Sequence, residues 1–240
     1  MKELRQLGGN SRLTRRHALA WLGGLGLAAV IPGCGGGNRS SSPSTSSSAS
    51  TGATSTASSA DCVLMPELTE GPYYLDLDLV RKDITGGKPG LPLSLRVNVV
   101  KVGKSCSPIE DAAVDIWHAD AAGEYSGVQG VSGNFLRGIQ MTDASGKAEF
   151  ETIYPGWYMG RAVHIHVKVH VGSSEVHTGQ LFFDDDRTDA VYKTDPYSRR
   201  PNRDTLNSSD SIFAQSQGTT IVAVTPGAER YSGAVTLGVQ

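Results

Sequence analysis

The chain reads as all-β: an antiparallel β-sandwich of about seven to nine short strands with long loops. Three observations carry this expectation. Apolar and polar residues alternate along several short stretches beyond residue 90, the pattern of half-buried strands. Turn-forming residues separate them, as in Asp143-Ala-Ser-Gly146. Helical period is confined to scattered windows, mainly in the acidic and polar stretch 184–215. Short strands with frequent turns define a sandwich.

The strands follow in order. Residues 93–100 alternate along Leu-Ser-Leu-Arg-Val-Asn-Val-Val. Residues 113–118 do the same, with Val114, Ile116 and His118 on one face. After the 143–146 turn come strands over 147–153, 163–171, 179–183, 219–224 and 234–239. The connection 184–210 is long and polar, and loops of that length inside a compact domain are usually functional or mobile. No internal repeat is present.

The first sixty residues have a different character. Residues 1–17 carry Lys2, Arg5, Arg12, Arg15 and Arg16 against the single acid Glu3, and an apolar stretch follows from Ala18 to about Ile31. A basic segment before a short apolar one is an export signal, too short for a standard membrane span. Arg15-Arg16 reads as a twin-arginine address, against an ordinary secretory signal with an incidental arginine pair. Cys34, at the end of Ile31-Pro-Gly-Cys34, is a candidate lipidation site, although Pro32 is unusual there. Residues 35–60 are almost entirely small and polar. Such a tract cannot offset chain entropy by apolar burial and is expected to be a disordered tether. Residues 1–34 are thus read as signal, 35–60 as tether, and 61–240 as one folded domain. The expected location is exported, periplasmic or extracellular, with a candidate membrane anchor through Cys34.

The formal net charge is −2 and the domain has no basic run, so nothing argues for nucleic acid. Cys62 and Cys106 make an even pair in an exported chain, a reasonable disulfide, against two separate thiols. Neither has metal-site spacing.

The chemistry concentrates in residues 161–170, Arg-Ala-Val-His-Ile-His-Val-Lys-Val-His. Strand alternation points His164 and His166 to one face, and Val163, Ile165 and Val167 to the other. Two imidazoles about 7 Å apart at Cα can converge on one ion. Tyr158 lies just upstream in Tyr154-Pro-Gly-Trp-Tyr158, and Tyr125 in Gly123-Glu-Tyr-Ser126. Two tyrosines with a His-x-His strand suggest a ferric site of oxygen and nitrogen donors. Each part alone is weak, since surface histidines and packed tyrosines are common.

Jointly these residues resemble the intradiol ring-cleavage dioxygenases, the family of protocatechuate 3,4-dioxygenase and catechol 1,2-dioxygenase. The resemblance runs through Glu70-Gly-Pro-Tyr-Tyr74, Val114-Asp-Ile-Trp-His-Ala-Asp120, Gly123-Glu-Tyr-Ser126, Pro155-Gly-Trp-Tyr158 and Arg161-Ala-Val-His-Ile-His166, with Gln180 following. It implies Fe(III) held by Tyr125, Tyr158, His164 and His166. It implies a pocket walled by Gly71, Pro72, Tyr73, Tyr74 and Trp157. It implies that Tyr158 takes a substrate proton, Arg161 stabilises negative charge on the ring, and Gln180 bonds a substrate oxygen. The implied reaction uses O2 to open a catechol between its hydroxylated carbons, giving a muconate-type diacid. Charge balance agrees: two tyrosinates and a hydroxide neutralise three positive charges, so the centre can be buried without a stranded ion.

The blander roles are a strand-edge ion pair for Arg161 and an amide satisfying backbone groups for Gln180. Trp117 reads as core. His118 reads as a satisfied buried histidine, and Asp184–Asp186 as a solvated loop rather than a calcium site.

The chain departs from the family in three ways. Arg161-Ala-Val stands where the family has Arg-Pro-Ala, the segment between Tyr158 and Arg161 is short, and residues 35–60 cannot supply the helical domain of catechol 1,2-dioxygenases. Dimerisation through that element is not expected; a homo-oligomer of another kind stays open. The competing readings are a non-catalytic binding module of the same fold and a copper or zinc protein built on the histidine stripe. The second lacks the usual softer ligands.

Overall fold

The computed structural model describes residues 63–103 and 105–240. The signal, the tether, Cys34 and Cys62 lie outside the described residues. Cys106 is disulfide-bonded; its expected partner, Cys62, is among the residues not described.

Two sheets form the sandwich. The first joins β1 (Pro92–Lys101), β2 (Ser107–Pro108), β5 (Lys147–Ile153), β8 (Ala223–Thr225) and β9 (Tyr231–Val239). The second has the order β4-β3-β6-β7, from Arg137–Met141, Ala112–Trp117, His164–Val171 and Ser174–Phe182. Alternation in β1 puts Leu93, Leu95, Val97 and Val99 inward, all essentially inaccessible. They pack in one cluster with Val114 and Ile116 of β3 and Ile165, Val167 and Val169 of β6. Each such side chain contributes about 1.5–3 kcal/mol through burial.

The antiparallel expectation needs one amendment. β1 pairs with β9 in parallel, Leu93 beside Tyr231 through Lys101 beside Val239; the other strand pairs are antiparallel. Parallel neighbours need a long crossover, and here nearly the whole domain lies between them. Other elements differ in extent. β4 reads as loop in the sequence because Arg137 and Gly138 break its alternation. β7 begins earlier than 179, at Ser174, as the second arm of a hairpin with β6. Of the 219–224 stretch, β8 keeps Ala223 and Val224, while Ile221 makes one parallel bridge to Phe182.

The 184–210 connection is structured. Asp184 accepts from Arg187 N and caps α1 (Asp185–Val191), as a helix N-cap aspartate does. Asp185 pairs with the buried Arg203 side chain. The acidic run is therefore a cap and an ion-pair partner, rather than a solvated loop. Asp210 caps α2 (Ser211–Ser216) through Ile212 N and Phe213 N.

The inner faces of both sheets form the core, so the outer face of the second sheet carries the polar residues of β6. Residues 65–80 cross that face. Leu68 N bonds Thr178 O at 2.9 Å, and Val80 bridges Ile139. A sheet face under a strap of chain is where the predicted donors lie.

Candidate metal centre

Alternation along β6 sends His164 and His166 outward, while Ile165 and Val167 enter the core. The two Nε2 atoms are 3.1 Å apart, and Tyr158 Oη is 3.2 Å from His164 Nε2. The Tyr125 ring lies 5.6 Å from that of Tyr158 and 5.9 Å from that of His166, centroid to centroid. The structure therefore brings the four predicted donors together from three separate segments.

Each donor is held by its own scaffold. Tyr125 follows a tight turn in which Asp120 Oδ1 accepts from Ala122 N and Glu124 N at 2.9 and 3.0 Å. The buried Arg137 grips the next residue, donating to Ser126 O at 2.7 and 3.1 Å. Tyr158 follows Pro155 and Gly156, where Tyr192 Oη donates to Pro155 O. A Cβ on Gly156 would stand 2.0 Å from Asp120 O, so the two tyrosine loops touch backbone to backbone. His164 Nδ1 faces Ala162 O at 2.7 Å. A carbonyl can only accept, so Nδ1 carries the proton and Nε2 presents its lone pair. His166 is set by Trp117, stacked on it at 4.9 Å and 5°. Gly71, with φ +75°, passes so close that a Cβ would be 3.0 Å from His166 Cε1.

These residues fit a hard metal ion. Donors about 2.1 Å from one ion and at right angles lie about 3 Å apart, close to the separations here. Tyr125 Oη is buried and makes no well-formed hydrogen bond, a cost a protein seldom leaves standing. Burial, reinforced by Arg161, lowers the His164 pKa to about 3, and burial with His164 holds His166 well below its ordinary value. Both rings are thus neutral and competent as ligands. Burial and the adjacent Tyr158 raise Tyr125 well above the ordinary phenol value, and burial raises Tyr158 against the opposing pull of Arg161. A nearby multivalent cation is what reverses that preference. Among the described residues no group of three or more His, Cys, Asp or Glu is placed to hold a metal ion. The donor set therefore depends on its tyrosines.

Around the donors, Tyr73 packs 4.7 Å from Tyr125 and 6.1 Å from Tyr158. Tyr74 lies on Trp117 at 4.9 Å. Pro72 is exposed at the turn beside Gly71. Trp157 is not brought to this group. Its indole packs against the main core, donates to Arg200 O at 2.8 Å and carries the Arg200 guanidinium over its face.

Arg161 and Gln180 both make the contacts of the blander expectation, an ion pair and an amide that satisfies a backbone group, and Arg161 also reaches Tyr158. Arg161 Nη2 donates to Gln180 Oε1 at 2.5 Å and Nη1 reaches Tyr158 Oη at 3.4 Å, while Nε pairs with Asp210 at 2.8 Å. Gln180 Nε2 also satisfies Thr69 O at 2.9 Å. His118 is a satisfied buried histidine, with Nδ1 on Ala119 O and Nε2 on Thr152 Oγ1.

Sequence reasoning missed Asp210, Asp204 and Asp115. Asp204 accepts from Gly160 N at 3.1 Å and steadies the turn after Tyr158. Asp115 lies behind Tyr74 on the outer face of β3, buried, beside Lys168 in register. Burial would raise the Asp210 carboxyl, but bonds from Ala162 N, Phe213 N and Arg161 outweigh it and hold it below the usual range. The one available signal was the Asp-Ser-Ile-Phe sequence at 210–213, an N-cap pattern.

Two tyrosines and two neutral histidines gathered on the outer face of a β-sandwich make a donor set suited to a hard metal ion. The dioxygenase family model matches residues 66–206. The chain belongs to the intradiol ring-cleavage dioxygenase family. An intradiol ring-cleavage dioxygenase of Tetranychus urticae is 33% identical, with a TM-score of 0.71, covering 75% of this chain and 95% of that one. The dioxygenase domain of a carbohydrate-binding fusion from Streptomyces sp. SirexAA-E is 29% identical, with a TM-score of 0.56, over 74% and 100% of the two chains. Catechol 1,2-dioxygenase 1 of Acinetobacter lwoffii is 37% identical over 101 residues, 39% of this chain and 32% of that one. The chain spans about a third to a half of the length of the curated relatives it matches.

Proposed function

We propose that this protein is an exported, Fe(III)-dependent intradiol dioxygenase that opens a catechol between its hydroxylated carbons, adds both atoms of O2 and yields a muconate-type diacid. The convergence of Tyr125, Tyr158, His164 and His166 carries the reading. Those four residues would hold the iron. Bound Fe(III) would supply the Lewis acidity that binds the catecholate and prepares its ring for O2.

The remaining steps belong to the chain's own residues. Tyr158 is the proton acceptor: its Oη lies between His164 Nε2 and the Arg161 guanidinium. Arg161, one edge of its fork on Gln180 and the other toward Tyr158, offers fixed positive charge to the negative charge that develops on the ring. Gln180, locked by Thr69 O and Arg161, orients that fork and faces the substrate. Tyr73 and Tyr74 wall the site and, with residues 69–74, limit water entry. Met159 is 81% exposed in the short turn between Tyr158 and Arg161, leaving one side of the entrance open to substituted catechols.

The test is an optical titration of iron-loaded protein with a panel of catechols, alongside oxygen uptake and product analysis. A tyrosinate charge-transfer band that shifts on catechol binding and bleaches with one O2 per ring opened supports the reading. A coloured protein that binds catechol without oxygen uptake leaves a binding module of the same fold. Export through the 1–34 segment and anchoring at Cys34 are tested by fractionation: Cys34→Ser is expected to release the protein from the membrane fraction.

A further inference from the structure

The Arg161 guanidinium is a long cation on a flexible stem, and a side chain of that kind is placed only as well as its strongest restraint places it. Two of its contacts are to uncharged groups, an amide oxygen at 2.5 Å and a phenol at 3.4 Å. The third is a carboxylate. Asp210 Oδ2 accepts from Arg161 Nε at 2.8 Å and from the next backbone amide, Ala162 N, also at 2.8 Å. Its other oxygen accepts from Ile212 N and Phe213 N at 2.7 and 3.0 Å. All its acceptor directions are thus used, and the residue is 3% exposed. The carboxylate cannot rotate without breaking the start of α2. Only this contact joins two opposite full charges, so it holds the guanidinium more firmly than a bond to a neutral oxygen does.

We propose that Asp210 is a positioning residue for ring cleavage: it clamps Arg161 Nε so that the two outer guanidinium nitrogens stay on Gln180 and Tyr158. It acts through Arg161 and touches neither substrate nor metal. The inference rests on the proposed dioxygenase function and adds to it a residue in the loop that follows α1, 49 positions along the chain from the arginine. It gives the long polar connection 184–210 a specific role in the chemistry, through its last residue.

The experiment compares iron-loaded wild type, Asp210→Asn, Arg161→Gln and the double variant, with unsubstituted catechol as substrate. Asparagine keeps an oxygen for the α2 cap but turns an N–H toward Arg161. The expected result is kcat down on the order of tenfold in Asp210→Asn with KM little changed. Iron content and the position of the resting charge-transfer band stay at wild-type values. In the double variant kcat falls no further than in Arg161→Gln alone, because the two residues act as one unit. A wild-type kcat in Asp210→Asn overturns the proposal, and so do losses that multiply in the double variant. A folded but iron-depleted Asp210→Asn overturns it as well, since the residue would then act through Ala162 and His164. Asp210→Ser, which also keeps the cap, repeats the comparison; failure of both variants to fold assigns Asp210 a structural role instead. A colourless, inactive wild type overturns the dioxygenase reading itself. An active wild type with an indifferent Asp210→Asn overturns this inference alone.

Discussion

Trp117 lies flat against His166, ring centroids 4.9 Å apart and planes within 5°. The two residues face each other across neighbouring strands, in register. The stack fixes the plane of an imidazole whose Nδ1 has no hydrogen-bond partner to fix it. Metal-bound histidines usually gain that orientation from a polar partner on the other nitrogen. Here an indole face does it. Trp117→Leu keeps an apolar filler but frees the ring. The expected outcome is iron affinity lowered by about 10–100-fold, the cost typical of losing a ligand's support, with the fold intact. Competition with a chelator, read by the charge-transfer band, measures it.

Ligand and charge roles separate by substitution. His164→Ala removes a neutral nitrogen donor whose tautomer Ala162 O sets, and is expected to lose iron. Tyr158→Phe is expected to change both colour and turnover. Arg161→Ala removes no donor atom, only a guanidinium 3.4 Å from Tyr158 Oη, so iron content is expected to hold while kcat falls by roughly 10²–10³, the scale of losing one preorganised charge-stabilising group. Metal analysis beside steady-state kinetics tests all three. Full activity in His164→Ala would be incompatible with the ligand assignment.

Asp115 gives the domain a pH signature. Burial raises its carboxyl pKa to about 7, against the opposing effects of the Tyr74 hydrogen bond and Arg137. The unfolded value is about 3.9, so the folded state holds the proton more tightly. The folded domain is therefore favoured by protonation at low pH, and that advantage is lost as pH rises from about 4 to about 7. Asp115→Asn has no such proton to lose. Its stability relative to wild type should grow across that window, by a few kcal/mol in all, and stay level above pH 7. Urea titrations of both proteins at pH 4, 5.5, 7 and 8 check the slope. A flat difference would show that Asp115 titrates normally.

Much of this site could be read from the chain because its information is local. A two-residue spacing puts His164 and His166 on one face whatever surrounds the strand, and the partition of Ile165 and Val167 into the core follows from the same period. Tyr125 and Tyr158 sit in turns whose Gly and Pro residues are visible in the sequence. What escaped is what depends on distant partners. Arg137 looks like an exposed loop cation until Ser126 and the Tyr125 loop bury it. Asp210 looks like one more acid in a polar stretch until the fold sets Arg161 beside it. The parallel pairing of β1 and β9 escaped for a related reason: alternation tells which face is buried, and both strands alternate, but it carries no strand direction. Trp157 depends on distant partners too: the resemblance implies a pocket wall, and the indole donates to Arg200 O, 43 residues along the chain.

The contact between the two tyrosine loops gives the sharpest stability test. A Cβ at Gly156 would lie 2.0 Å from Asp120 O and 2.9 Å from the Ala121 carbonyl carbon. Both neighbours are backbone, held in the Asp120–Glu124 turn by the Asp120 carboxylate, which also pairs with Lys88 at 2.6 Å. Neither side can yield as a flexible side chain does. Gly156→Ala must therefore push the loops apart by more than an ångström or strain the turn, at a cost of about 2–3 kcal/mol or more. The displacement acts on Tyr158, two residues on, and on Tyr125, five residues beyond Asp120. The expected outcome is a lowered urea midpoint together with loss of the charge-transfer band at iron levels that saturate wild type. A variant that is destabilised yet keeps wild-type colour would show that the loops reach their ligand geometry independently of this contact. An unchanged midpoint would mean that Gly156 and Asp120 are farther apart than the structure places them.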